Sequence, residues 1–193
     1  MEAQLSCVNW PAEYPDRPDV RFTFEKQAER LRLRWEVREN ASMARAKADN
    51  DRVWEDSCCE MFIRFEGEKE YYNLEASCNG RILLGCRKSR EDCEHASASV
   101  LKSIVRKGSL PLGVTFSERH LPVLGDGPSW TLELEIPVSA FWKSGLKSFD
   151  GVHASGNFYK CGDALSRPHY VSWAPIQTPA PDYHRPEFFK ELF

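Results

Sequence analysis

The sequence predicts an all-β protein: an antiparallel two-sheet β-sandwich, jelly-roll or immunoglobulin-like, with one or two short helical turns. Three observations predict it. Apolar residues recur with a period of two in one segment after another, as in strands with one buried and one wet face. The segments are short and are punctuated by Gly, Pro, Asn and Asp, the residues of turns. Helical periodicity is almost absent. With 193 residues, 41% of them hydrophobic, the chain can bury a full core. No repeat, low-complexity tract or linker divides it, so residues 1–193 read as a single domain.

In chain order, residues 25–30 have room for a helical turn. Leu31, Leu33, Trp35 and Val37 then alternate with Arg32, Arg34, Glu36 and Arg38. Met61, Ile63 and Phe65 alternate in the next strand. Tyr72, Leu74 and Ala76 run up to Asn79-Gly80, and Ile82 and Leu84 follow, which is the pattern of a β-hairpin. Trp130, Leu132, Leu134 and Ile136 form a further strand that Pro137 ends. Val138, Ala140, Phe141 and Trp142 fit a helical turn over 138–145. Residues 153–160 and 169–173 supply two more strands. The closing stretch 157–189 is rich in rings and proline and poor in aliphatic residues. It has the chemistry of a recognition surface and is expected to wrap an edge or end of the sandwich.

Net charge is −3 and no basic stripe is present, so nucleic acid is not an expected partner. No apolar run approaches the roughly 18 residues of a membrane span, and no signal peptide is visible at the N-terminus. Seven cysteines without a C-x-x-C spacing read as reduced thiols, with adjacent Cys58 and Cys59 on opposite faces of a strand, which favours a cytoplasmic setting. Motifs for nucleophilic hydrolysis, zinc proteolysis and nucleotide binding are absent. Glu60, Glu75, Asp163 and Asp182 are the carboxylates on or near strands that could pair for acid–base work. Of six tryptophans, Trp35 and Trp130 hold inward strand positions and read as core. Trp54, among Asp49, Asn50, Asp51, Arg52, Glu55 and Asp56, and Trp173, beside Tyr170 and a proline-rich loop, are placed to stack on a ligand. Asp49, Asp51 and Asp56 offer hard oxygen ligands that suit Ca²⁺, although they lack the EF-hand spacing and a solvated acidic loop is the favoured reading.

The blocks DRVWEDSCCEMFIRF, YYNLEASCNGRIL, WTLELEIPVSAF, GNFYKCGD, HYVSWAPI and PDYHRPEFFKELF, in this order from about residue 20 onward, resemble the family 9 carbohydrate-binding modules, and most closely the short single-domain family 9-like proteins. The resemblance implies a non-catalytic β-sandwich that holds a mono- or oligosaccharide between two tryptophans. It implies Trp54 and Trp173 as the stacking pair, Glu60 as an acidic hydroxyl acceptor, Arg81 as a basic donor and Asn157 as an amide ligand. It further implies recognition of a reducing end, calcium as the one cofactor to consider, and a role in carbohydrate catabolism in association with a glycoside hydrolase. Two other readings of the residues stay open: a glycoside hydrolase using Glu60 with Asp163 or His169, and a sandwich whose exposed rings form a protein interface.

Overall fold

The computed structural model describes residues 1–123 and 125–193. Its strands are β1 (Glu2–Gln4), β2 (Cys7–Val8), β3 (Asp19–Lys26), β4 (Arg30–Arg38), β5 (Ser42–Ala44), β6 (Cys58–Phe65), β7 (Tyr71–Ser77), β8 (Ile82–Arg87), β9 (Cys93–His95), β10 (Val105–Gly108), β11 (Phe116–Arg119), β12 (Trp130–Pro137), β13 (Ala154–Cys161), β14 (Tyr170–Ser172) and β15 (Lys190–Glu191). One short helix, α1 (Ala98–Ser103), and 3-10 turns at Val53–Glu55, Val138–Ala140 and Pro186–Phe188 complete the described elements.

The strands form a two-sheet β-sandwich. The first sheet has the order β1-β3-β4-β12-β10, and the second runs β2-β14-β13-β6-β7-β8-β9, with β5 and β11 as a separate pair. Alternation fixes which residues face inward. On the first sheet Phe22, Leu33, Trp35, Leu132 and Leu134 point at the second, which answers with Met61, Ile63, Leu74, Leu84 and Phe158. Trp35 and Trp130 are 0% and 1% exposed, and burial of each such side chain contributes about 1.5–3 kcal/mol. The outward residues of the first sheet are charged and wet, as in the Arg30–Glu135 and Arg32–Glu135 pairs at 2.8 and 3.0 Å, contacts each worth under about 1 kcal/mol.

The second sheet is buried on both faces. Its inner face belongs to the core. Its outer face carries Cys58, Phe62, Tyr71, Leu83, Tyr159 and Cys161, which pack with Trp10, Val53, Ile176 and Tyr183. The cover comes largely from the ring-rich C-terminal segment, which lies across this outer face as a strap. Asn157 starts the strap by pairing with both polar groups of Ala174, donating to its carbonyl at 3.1 Å and accepting from its N–H at 2.9 Å. Trp10 Nε1 donates to Thr178 O at 2.8 Å. The Tyr183 ring stacks on Tyr159 at 4.1 Å, with 15° between planes. The strap closes as β15, which shares one edge of β13 with β14: β14 takes Tyr159–Cys161 and β15 takes Ser155 and Gly156.

Residues 25–30 are not helical. Gln27 N donates to Arg30 O at 2.9 Å and turns β3 directly into β4, because pairing of two apolar faces outweighs the modest helix preference of Gln, Ala and Glu. The 138–145 segment is a 3-10 turn continued by a bend. Around Asn79-Gly80 the hairpin turn spans 78–81, with only Gly80 in the left-handed region, at φ 80°. The α1 helix, unforeseen in the sequence, begins where Ser97 Oγ accepts from Val100 N at 3.4 Å.

Candidate functional site: a carboxylate-floored cavity under the C-terminal strap

A cavity of about 300 Å³ opens between the outer face of the second sheet and the strap. Glu60 of β6, Glu75 of β7 and Cys161 of β13 make its floor, because all three occupy outward positions on adjoining strands. Trp54 makes one wall. It is fixed by its own carbonyl, which accepts from Asp163 N at 3.1 Å and from Cys161 Sγ at 3.5 Å. The Arg52 guanidinium lies 5.7 Å from the indole. Tyr170 enters from β14, directly opposite Cys161 in the ladder. Asp163 comes from the turn after β13, and Asp182 and His184 come from the strap.

Polar contacts order this floor. Asn73 donates to Glu75 Oε1 at 2.6 Å, and Arg87 Nε donates to Asn73 Oδ1 at 2.6 Å. Glu75 Oε2 is buried and has no partner among the described residues. Glu60 accepts from Cys161 Sγ at 3.0 Å and stands opposite Glu75 in the strand register. Burial, reinforced by Glu75, pushes the Glu60 carboxyl well above the usual range. Burial also pushes Glu75 up to about 7, against the pull of Arg87 and Asn73. Burial therefore favours the protonated forms of these carboxyls, and a protonated carboxyl, which both donates and accepts, matches a hydroxyl, which does the same. His184 is held down to about 3 by burial and by Arg87 and Arg90. It is neutral and pairs through Nδ1 with the Tyr71 hydroxyl at 2.9 Å.

A second, larger cavity of about 880 Å³ lies at one end of the sandwich, lined by Arg17, Arg38, Arg119 and Arg167 with His169 at its base. No aromatic ring other than imidazole lines it among the described residues. Beneath it the buried Lys160 sits 2.8 Å from Glu39 Oε2. This is a charge contact outside good hydrogen-bond alignment, since the Lys160 ammonium is directed at Cys161 O and His169 Nε2, at 2.8 and 2.7 Å.

Residues 1–193 match the family model for carbohydrate-binding family 9. The chain belongs to carbohydrate-binding family 9. It is similar to the crystal structure of a candidate carbohydrate-binding protein from Bacteroides uniformis, with a TM-score of 0.90 and 41% identity over 99% of this chain and 84% of that one. It also shares its fold with a family 9 module from Caldicellulosiruptor kristjanssonii. The complex of that module with cellotriose gives a TM-score of 0.53 at 12% identity, over 91% of this chain and 74% of that one. Its complex with glucose gives 0.50 at 13%, over 91% and 76%. No protein of curated function matches the chain.

In this family 9 chain Trp54 and Glu60 line one cavity, and Glu75, Asp163 and Asp182 join them there. Trp173 does not. Three positions from Tyr170, it has the opposite strand parity, and its ring packs edge-on against Phe22 and Phe158 in the core at 6.5 and 5.9 Å. The expected indole sandwich of Trp54 and Trp173 is therefore not formed, and Tyr170 is the ring that β14 presents to the cavity. Asn157 is buried, with its amide fully used in holding the strap. Arg81 lies at the far end of the β7–β8 hairpin, its guanidinium against Gly113. His169 faces the other cavity, so of its two expected partners Glu60 meets only Asp163. Cavity-lining residues that the sequence did not lead us to choose are Arg87, Arg90, Tyr170 and His184. Tyr170 was recoverable from parity with Cys161, whereas the arginines carry no motif.

The three aspartates expected to suit calcium do not converge on one point. Asp49 is held by the Arg106 guanidinium at 2.7 and 2.9 Å. Asp51 accepts from Lys47 N and Arg52 N. Asp56 is buried and accepts from Arg45 N, Ala46 N and Ser77 Oγ. Their oxygens are spent on protein donors, so these residues do not fit a Ca²⁺ cage. Among the described residues, one group of three potential ligand atoms lies within 4.8 Å: Cys58, Glu60 and Cys161.

Proposed function

We propose that the protein binds a short neutral saccharide without transforming it, in the Trp54 cavity. The observation that carries this reading is the meeting of a wall indole with the buried Glu60–Glu75 floor in one cavity of a family 9 chain. Trp54 offers a flat apolar face to the C–H side of a sugar ring, and Tyr170 offers a second ring. Stacking of this kind is worth on the order of 1 kcal/mol beyond area burial. Glu60, Glu75, Asp182 and the arginines meet the hydroxyls. A cavity of about 300 Å³ is at the small end of ligand pockets. It suits one ring, so we read the ligand as the end of a glycan, with its reducing end inward. Binding of one ring should be weak, roughly −4 to −8 kcal/mol.

The test is a tryptophan-fluorescence titration with glucose, cellobiose and xylobiose and their borohydride-reduced forms. A saturable change lost in Trp54→Ala supports the site, and loss on reduction supports end recognition. Undiminished binding by both Trp54→Ala and Tyr170→Ala would place the sugar elsewhere. A second reading, hydrolysis, is favoured by the four carboxylates that share this cavity. Turnover of an aryl glycoside abolished by Glu60→Gln would establish it.

A further inference from the structure

We propose that Cys58, Cys161 and Glu60 bind a thiophilic divalent cation, Zn²⁺, beneath the sugar cavity. Cys58 and Cys161 are direct partners in the β6–β13 ladder, and Glu60 follows Cys58 on the same face of β6. Their ligand atoms all lie within 4.8 Å of one another, with Cys161 Sγ and Glu60 Oε1 at 3.0 Å. Tetrahedral Zn²⁺, with bonds of about 2.3 Å to sulfur and about 2.1 Å to oxygen, spans ligand–ligand edges of roughly 3.6–3.8 Å. Modest side-chain adjustment therefore reaches the required geometry, and two paired strands at the centre of a sheet hold the backbone still.

A separate observation also points to a cation. Glu75, 4% exposed, lines the same cavity and carries the unpartnered Oε2. A buried carboxylate oxygen left without a donor costs on the order of 1–3 kcal/mol. A metal with a bound water in its fourth position would give that oxygen a donor. Two thiolates and one carboxylate select Zn²⁺ over Ca²⁺ or Mg²⁺, which prefer all-oxygen cages. On binding, both thiols and the Glu60 carboxyl release their protons to bulk solvent. The site shares Glu60 with the saccharide reading but neither Trp54 nor Tyr170, so the two readings can be tested apart.

The experiment is a Co²⁺ titration of the reduced full chain without oxygen. The expected result is a sulfur-to-cobalt charge-transfer band with the visible bands of tetrahedral Co²⁺, saturating at one ion per chain and erased by Zn²⁺. Cys58→Ser and Cys161→Ser should each weaken Zn²⁺ by more than the roughly 10- to 100-fold that loss of a supporting outer-shell group costs. Glu60→Gln, which keeps both thiols, should weaken it while retaining the charge-transfer band, and so guards against a serine variant that fails to fold. Absence of the band, or its survival in the double Cys→Ser variant, overturns the proposal. So does a cobalt-silent protein in which oxidation joins Cys58 to Cys161. Glucose titrations with and without a chelator keep the two readings apart: sugar binding without the cobalt spectrum sinks the metal alone.

Discussion

Removing one member of the Lys160–Glu39 pair should unfold much of what the sandwich gains from packing. The side chains are 0% and 2% exposed and 2.8 Å apart. At an effective dielectric of about 20 their attraction is roughly 6 kcal/mol before desolvation is subtracted. Burial opposes ionisation of Glu39, yet Lys160 and His169 outweigh it and hold the carboxyl low. Burial likewise opposes the Lys160 charge, and Glu39 outweighs it. Lys160→Met leaves Glu39 with only the Trp130 indole and the Ser42 hydroxyl as donors, both on Oε1 at 2.7 Å. An uncompensated buried charge of this kind costs about 3–5 kcal/mol, a third or more of the stability of many domains. Glu39→Gln keeps the indole and hydroxyl bonds but strands the ammonium, with a similar cost. The double variant carries neither charge and should recover at least about 2 kcal/mol relative to the sum of the singles. Urea unfolding followed by tryptophan fluorescence measures all four proteins. Additive losses, or singles that cost less than about 1 kcal/mol, would refute the reasoning.

Trp173→Ala should cost about 2–3 kcal/mol, less than a fully buried Trp because the ring is only partly buried, and leave sugar affinity within about twofold. Trp54→Ala should do the reverse, as calorimetry and thermal melts on one pair of samples will show. Gly156→Ala should destabilise by at least about 2 kcal/mol, since its Cβ would meet Phe62 O at 2.2 Å; limited proteolysis should then release the C-terminal strap first. Burial and Lys160 lower His169 to about 3, and burial lowers His184 to about 3 as well. A histidine with a depressed folded pKa binds fewer protons than its unfolded counterpart. The two histidines therefore contribute stability that is present above pH 6.5 and lost toward pH 3, whereas Glu60 and Glu75, raised by burial, gain stability as pH falls from about 7 to 4.5 and offset that loss; the net fall should come mainly below about pH 4.5. Melting temperatures from about pH 7 to 3 check this, and a steep fall already complete by about pH 5 would contradict it.

Strands with one wet face were legible in the sequence. β4 and β12 announce themselves because Arg and Glu separate their apolar residues, and the β7–β8 hairpin because its apolar runs flank Asn-Gly. The 25–30 segment misled because a hairpin turn made of Gln, Ala and Glu leaves no glycine or proline to mark it. β14 was found, but its parity was not read: Tyr170 faces the cavity, and Trp173, chosen as an indole at a strand end, faces the core. Glu60 and Trp54 were legible because a carboxylate on a buried strand and an indole in acidic surroundings both need a reason. Arg81 and Asn157 were taken up by contacts with Gly113 and Ala174, 32 and 17 positions away, which local patterns do not encode.

The two faces of β14 also bear on how such a cavity changes over generations. Tyr170 and Trp173 differ in parity, so a register shift of one residue against β13 would exchange the ring presented to the cavity without altering a single codon of the strand. Gain or loss of one residue in the 162–169 turn is the mutation that would produce such a shift. The length of this connection is thus an inheritable control on which ring the cavity presents, separate from the composition of the pocket.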